Sequence, residues 1–141
     1  MSRKIFMVVF VSILFLTAVT LVSCHNGLQP DLIPVRDGAD VNFCDVDDQN
    51  RLIVHVKNQG AAEAPPSTTR VEFKWGGTES QTVDLPTPLI AAGATQDIPT
   101  ETEFPMGCFD PDCGFTITVD VNNDVAESGE ANNTADGLCL G

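Results

Sequence analysis

Apolar and polar positions alternate most clearly near the end of the chain, where Phe115, Ile117, Val119 and Val121 are interleaved with Thr116, Thr118 and Asp120. A period of two marks a strand with one buried and one wet face. The polar run NNDVAESGE then breaks the alternation, and Asn132-Asn133-Thr134 opens a second extended stretch toward Leu140. These residues predict a β-hairpin with an acidic tip, whose apolar face needs a second sheet to cover it.

The same pattern recurs upstream. Residues 30–35 (PDLIPV) predict an edge strand, since prolines belong at sheet edges or strand starts. Arg36 to Asn50 reads as a long polar loop. Leu52, Val54 and Val56 alternate with Ile53, His55 and Lys57, and Asn58-Gln59-Gly60 ends that strand. Val71, Phe73 and Trp75 alternate with Arg70, Glu72 and Lys74 until Gly76-Gly77, which places Phe73 inside and His55, Glu72 and Lys74 outside. Shorter strands are expected at Thr82–Leu85 and Thr95–Ile98, with loops at Pro86–Gly93 and Phe104–Gly114. Beyond the N-terminal region no stretch shows helical spacing over three turns. Seven short strands separated by Gly, Pro and Asn turns predict an all-β fold, an immunoglobulin-like antiparallel β-sandwich.

The N-terminal region differs in kind. Arg3 and Lys4 precede an uncharged apolar run from Ile5 to Val22, the layout of an export signal, although the run is long enough to span a bilayer. Leu21-Val22-Ser23-Cys24 resembles the bacterial lipobox. That resemblance implies cleavage before Cys24, a diacylglycerol on its thiol, and attachment to the membrane of a bacterial envelope with the rest of the chain outside the cytoplasm. The expected organisation is a signal peptide over 1–23, a tether over 24–29 and one domain over 30–141. At about 3.5 Å per residue the tether reaches no more than roughly 20 Å.

Charge narrows the partners. Twenty acidic against seven basic residues give a net charge of −13, and removing residues 1–23 takes away Arg3 and Lys4 but no acid. Such a surface is repelled by nucleic acid and by anionic headgroups, so the lipid has to hold the chain without a basic patch. The expected partners are the membrane, through Cys24, and a protein or glycan ligand that the sequence does not name.

Along the domain a family resemblance becomes visible. Pro30-Asp31-Leu32, LIVHVKNQGAAEAP at Leu52 to Pro65, Leu89 with Gly93, and TVDVNNDVAESGEANNT at Thr118 to Thr134 follow the order of the bacterial CARDB domain. The most specific parts are Val56 to Gly60 and the E-x-x-E-A-N-N run from Glu127 to Asn133. The resemblance implies an immunoglobulin-like extracellular module, with a name that points to cell adhesion. A single copy, a lipid anchor and four further cysteines set this chain apart from that pattern.

Those four are Cys44, Cys108, Cys113 and Cys139, an even number suited to two disulfides in an oxidising compartment. Sandwich topology brings the loops after the first and fifth strands and the end of the last strand to one pole, where all three pairings are open. Cys108 with Cys113 is preferred because four intervening residues keep them close, which leaves Cys44 with Cys139. Asp45, Asp47, Asp48, Asp110 and Asp112 fall at the same pole, away from the tether.

Catalytic chemistry finds little support. The chain has two histidines, His25 beside the lipid site and His55, and no nucleophile elbow, metalloprotease helix or phosphate loop. Neither an enzyme nor a cofactor is expected. Asp120, Asn122 and Asp124 meet the first ligand positions of a calcium loop with Glu127 nearby, but Val125 and Ala131 stand where Gly and the bidentate Glu belong. Turn chemistry is the preferred reading. A secreted, calcium-stabilised carbohydrate- or protein-binding module is the alternative to a lipid-anchored binding or spacer module. Trp75 is assigned to packing, and Asn132-Asn133-Thr134 to the start of a strand rather than to glycosylation.

Overall fold

The computed structural model describes residues 27–38 and 42–141. The export signal, Cys24 and His25 lie outside the described residues. Eight strands follow in chain order: β1 (Leu32–Val35), β2 (Asp45–Val46), β3 (Leu52–Asn58), β4 (Ser67–Trp75), β5 (Glu79–Thr87), β6 (Thr95–Pro99), β7 (Asp112–Thr118) and β8 (Thr134–Leu140). They form two antiparallel sheets, β1, β2 and β6 around β3, and β5-β4-β7-β8. The fold class is the expected all-β sandwich. Among the described residues no helix is long and apolar enough to cross a membrane.

Strand β2 falls inside the stretch expected to be a loop. Its two residues pair with Ile53 and Leu52, while β1 pairs with His55 to Asn58 and β6 with Ile53 to Lys57. A strand has only two edges, so β1 and β2 share one edge of β3, one handing over to the other between His55 and Ile53. So short a strand carries no readable period. Strand β5 also departs from the simplest immunoglobulin arrangement, in which the fourth strand joins the sheet of the first. It folds back on β4 through Gly76 and Gly77, both at positive φ, from Trp75↔Glu79 to Ser67↔Thr87. It is longer than expected because Glu79 to Thr82 are exposed and show no apolar alternation. Pro86 is tolerated because β5 is an edge strand.

Inward positions of both sheets make one core. Val54 and Val56 of β3 and Val71 and Phe73 of β4 are wholly buried, as is Val119, while Ile117 of β7 is 1 % exposed. The Phe73 ring meets Phe104 edge-on at 5.4 Å and Phe115 at 6.1 Å between centroids. Phe115 in turn lies over its cross-strand partner Gly137, where an added Cβ would come within 2.2 Å of the ring. Strand β7 begins at Asp112 and ends at Thr118, before the last residues of its apolar alternation. Asp120 at φ 48° turns the chain there, and Val121 donates instead to the Thr68 carbonyl at 2.9 Å.

Two disulfides close one pole. Cys44 is bonded to Cys139 across 95 residues and Cys108 to Cys113 across five. Cys113 and Cys139 are themselves cross-strand partners in β7 and β8, so the four sulfurs belong to one cluster that joins the β2 segment to the second sheet.

Because Phe73 is wholly buried between two aromatic neighbours, Phe73→Ala should lower stability by about 3–5 kcal/mol, the range for truncating a large core aromatic. Urea unfolding of wild type and variant measures it, and a loss below about 1 kcal/mol would place Phe73 outside the core.

Candidate functional site

Three groupings of polar residues qualify for attention, and two of them prove to be joints of the fold. The first is Asn58, at the end of β3 and wholly buried. Its Oδ1 accepts from the amides of Asp31 at 3.1 Å and Gly60 at 3.0 Å, and its Nδ2 donates to the carbonyls of Ala62 at 2.7 Å and Ile90 at 3.0 Å. Gly60 completes the joint, because a Cβ there would meet the Gln29 carbonyl oxygen at 2.4 Å and the Asp31 amide at 2.5 Å. Only glycine allows that approach.

The second is the acidic hairpin tip. Asp120 is 2 % exposed and its carboxylate accepts from the amides of Asp124 at 3.0 Å and Val125 at 2.9 Å. Glu127 is 7 % exposed; Oε2 accepts from the Leu32 amide and Oε1 from Asn133 Nδ2 at 2.8 Å. Ser128 N donates to the Pro30 carbonyl at 2.9 Å, and Asn132 Nδ2 to Asp31 Oδ1 at 2.9 Å. The oxygens that resembled calcium ligands thus cap a turn and pin the tip to β1. Burial pushes the Glu127 carboxyl above the ordinary glutamate range, and the donors from Leu32 and Asn133 pull it back only in part.

Asp47 does similar work at the other pole. It accepts from the amides of Gln49 and Arg51, both at 2.9 Å, and from the Arg51 guanidinium at 2.7 Å, which holds its carboxyl below the usual range. Trp75 is partly buried and packs against the core, which suits the packing role assigned to it.

The third grouping caps no backbone amide among the bonds described for it. Alternation does place His55 on the outer face of β3, but its side chain is only 11 % exposed because flanking carboxylates cover it. Nδ1 lies 2.8 Å from Asp97 Oδ1, its cross-strand neighbour on β6, and Nε2 lies 3.0 Å from Asp45 Oδ2 on β2. Asp37 is exposed in the turn beyond β1, and one ligand atom each from Asp37, Asp45 and His55 lie within 4.8 Å of one another. One nitrogen and two carboxylate oxygens make a donor set that could hold a metal ion. Sequence reasoning missed it. Asp45 was grouped with its chain neighbours Asp47 and Asp48, and only the handover from β1 to β2 brings Asp37 and Asp45 together over His55.

The CARDB family model matches residues 29–136. The chain belongs to the CARDB family. Among solved structures, it is similar to the CARDB domain of the PF1109 protein of Pyrococcus furiosus, a structure in complex with di-metal ions, at 25% identity and a TM-score of 0.51 over 81% of this chain and 94% of that one. It is also similar to a domain of a proposed cell surface protein of Methanosarcina acetivorans, at 22% identity and a TM-score of 0.53 over 80% and 92% of the two chains. A search of curated proteins finds no match. The two most specific parts of the CARDB resemblance, Val56 to Gly60 and Glu127 to Asn133, fall on the two joints, while His55 lies within the longer Leu52 to Pro65 run.

The Glu127 joint is open to a test by pH. An acid whose pKa is raised in the folded state contributes stability that is complete below the ordinary glutamate value of about 4.3 and is lost as pH rises through the raised value. Glu127→Gln removes this titration. Its amide could also donate to Asn133 Oδ1, which is buried with no hydrogen-bond partner among the described residues. The Tm of Glu127→Gln should therefore gain on wild type as pH is raised from about 4 to about 7, whereas a constant difference would refute the assignment. Glu127→Ala leaves the Leu32 amide unpaired and should cost about 1–3 kcal/mol.

Proposed function

We propose that this CARDB domain is a non-catalytic binding or spacer module held outside the cytoplasm by lipid on Cys24. The observation that carries the reading is the polarity of the domain. The chain enters beside Pro30 and Asp31, which are tied to the Asn58 joint and the hairpin tip. The disulfides lie at the far ends of β7 and β8. A short tether from residue 24 therefore leaves the disulfide pole facing away from the membrane. That pole exposes Met106 and Leu140 beside Asp110 and Asp112, a mixed apolar and acidic surface suited to a protein or glycan ligand and not to nucleic acid.

Two disulfides support an oxidising, extracytoplasmic compartment. The assignment of the Methanosarcina acetivorans relative to the cell surface agrees with adhesion or protein–protein contact as the role. A second reading, metal binding, draws on the His55 cluster and on the di-metal ions held by the Pyrococcus furiosus domain.

Expression of the whole chain in a bacterial host with radiolabelled palmitate tests the anchor. The wild-type chain should appear as a labelled, membrane-bound mature form, and Cys24→Ala as an unlabelled precursor. A Cys24→Ala protein maturing at the same size would remove the lipid from the proposal.

A further inference from the structure

We propose that Asp37, Asp45 and His55 bind one divalent transition-metal ion of the zinc class, with Asp97 orienting the imidazole from behind. The proposal deepens the metal-binding reading and is independent of the lipid anchor.

A neutral imidazole has one N–H and one lone pair, and a carboxylate only accepts. His55 nevertheless has a carboxylate oxygen against each ring nitrogen, at 2.8 Å and 3.0 Å. One N–H can serve only one of them. The other contact sets lone pair against anion unless a positive charge lies there, either a second proton or a metal ion. With Nδ1–H donating to Asp97, Nε2 is left to bind the ion, which is the carboxylate–histidine–metal arrangement found behind most histidine ligands.

The spacing fits. Ligand atoms about 2.0–2.2 Å from one ion, at tetrahedral or octahedral angles, stand roughly 2.9–3.4 Å apart. Nε2 and Asp45 Oδ2 are 3.0 Å apart. Asp37 brings a third donor, within 4.8 Å of the other two. Asp37 and Asp45 together balance the charge of a divalent ion, and Asp97 accepts the imidazole N–H.

The donors select the metal. Imidazole with carboxylates suits zinc, cobalt, nickel or manganese, whereas calcium takes six to eight oxygens. Much of the site is held in place by the fold. His55 and Asp97 are locked by the β3–β6 register, and Asp45 follows Cys44, whose disulfide ties it to β8. Asp37 sits in an exposed turn. Three protein ligands leave a position for water or for a donor group of a partner.

Titration of cobalt(II) and of zinc(II) into the full chain in detergent is the test. Wild type should take up a single ion with saturation and show the visible absorption of cobalt with nitrogen and oxygen ligands. His55→Gln and Asp45→Asn should abolish that uptake, and Asp97→Asn should weaken it about 10–100-fold. Far-UV circular dichroism checks that each variant folds. Nitrogen NMR of wild-type His55 needs no variant: zinc should shift Nε2 and leave the Nδ1 proton in place. Unchanged uptake in both His55→Gln and Asp45→Asn, or His55 signals unmoved by zinc, would overturn this site and leave metal binding elsewhere in the domain standing. No saturable uptake by wild type at millimolar metal would overturn both.

Discussion

The side chain of Asn58 makes four hydrogen bonds in a place water does not reach, and three segments converge on them. The start of β1, the turn through Gly60 and Ala62, and the loop carrying Ile90 all close on this one amide. Its backbone joins in, donating to Ala94 at 2.9 Å and accepting from Gly93 at 2.8 Å. A buried polar group left unpaired costs about 1–3 kcal/mol, and here every partner is a backbone group, of which the Ile90 carbonyl also accepts from the Ala64 amide at 2.9 Å. Asparagine is suited to the position because it offers an acceptor and two donors on one short, uncharged side chain. Aspartate would lack the donors.

From that joint the rest of the pole assembles. Asp31, positioned by Asn58, accepts from Asn132 and Gln59, and Leu32 gives its amide to Glu127. The hairpin tip between β7 and β8 is thereby fastened to the first strand of the opposite sheet. At the other end, the Cys44–Cys139 disulfide does the same between the β2 segment and β8. By chain-entropy reasoning a loop of that length contributes about 4–5 kcal/mol. A sandwich fastened at both poles has a rigid middle, and the outer face of β3 in that middle carries the His55 cluster.

The distribution of acid over the molecule then has two meanings. Asp47 and Asp120 spend their oxygens on amides of their own turns and Glu127 on the Leu32 amide of β1, so charge there serves the backbone. Asp37, Asp45 and Asp97 surround an imidazole and have no amide to serve among the bonds described for them. Proximity in sequence did not separate the two kinds. Proximity across strands did.

Much of the fold was legible in the chain itself. Alternation assigned Val54, Val56, Phe73, Ile117 and Val119 to the interior, because a strand with one wet face has to write its orientation into every second residue. The two runs that mark the CARDB family were legible too, since an amide hub and a capped acidic tip each need particular residues in order. Tertiary structure alone decided what carries no local period. Strand β2 is two residues long, β5 extends through polar residues, and β5 chose β4 over the other sheet because the turn at Gly76-Gly77 returns it there. His55 was expected in solvent, and its direction was right. Its cover was not foreseeable, because Asp37 and Asp45 meet only where one edge of β3 changes partner, and Asp97 comes from β6 on the other edge.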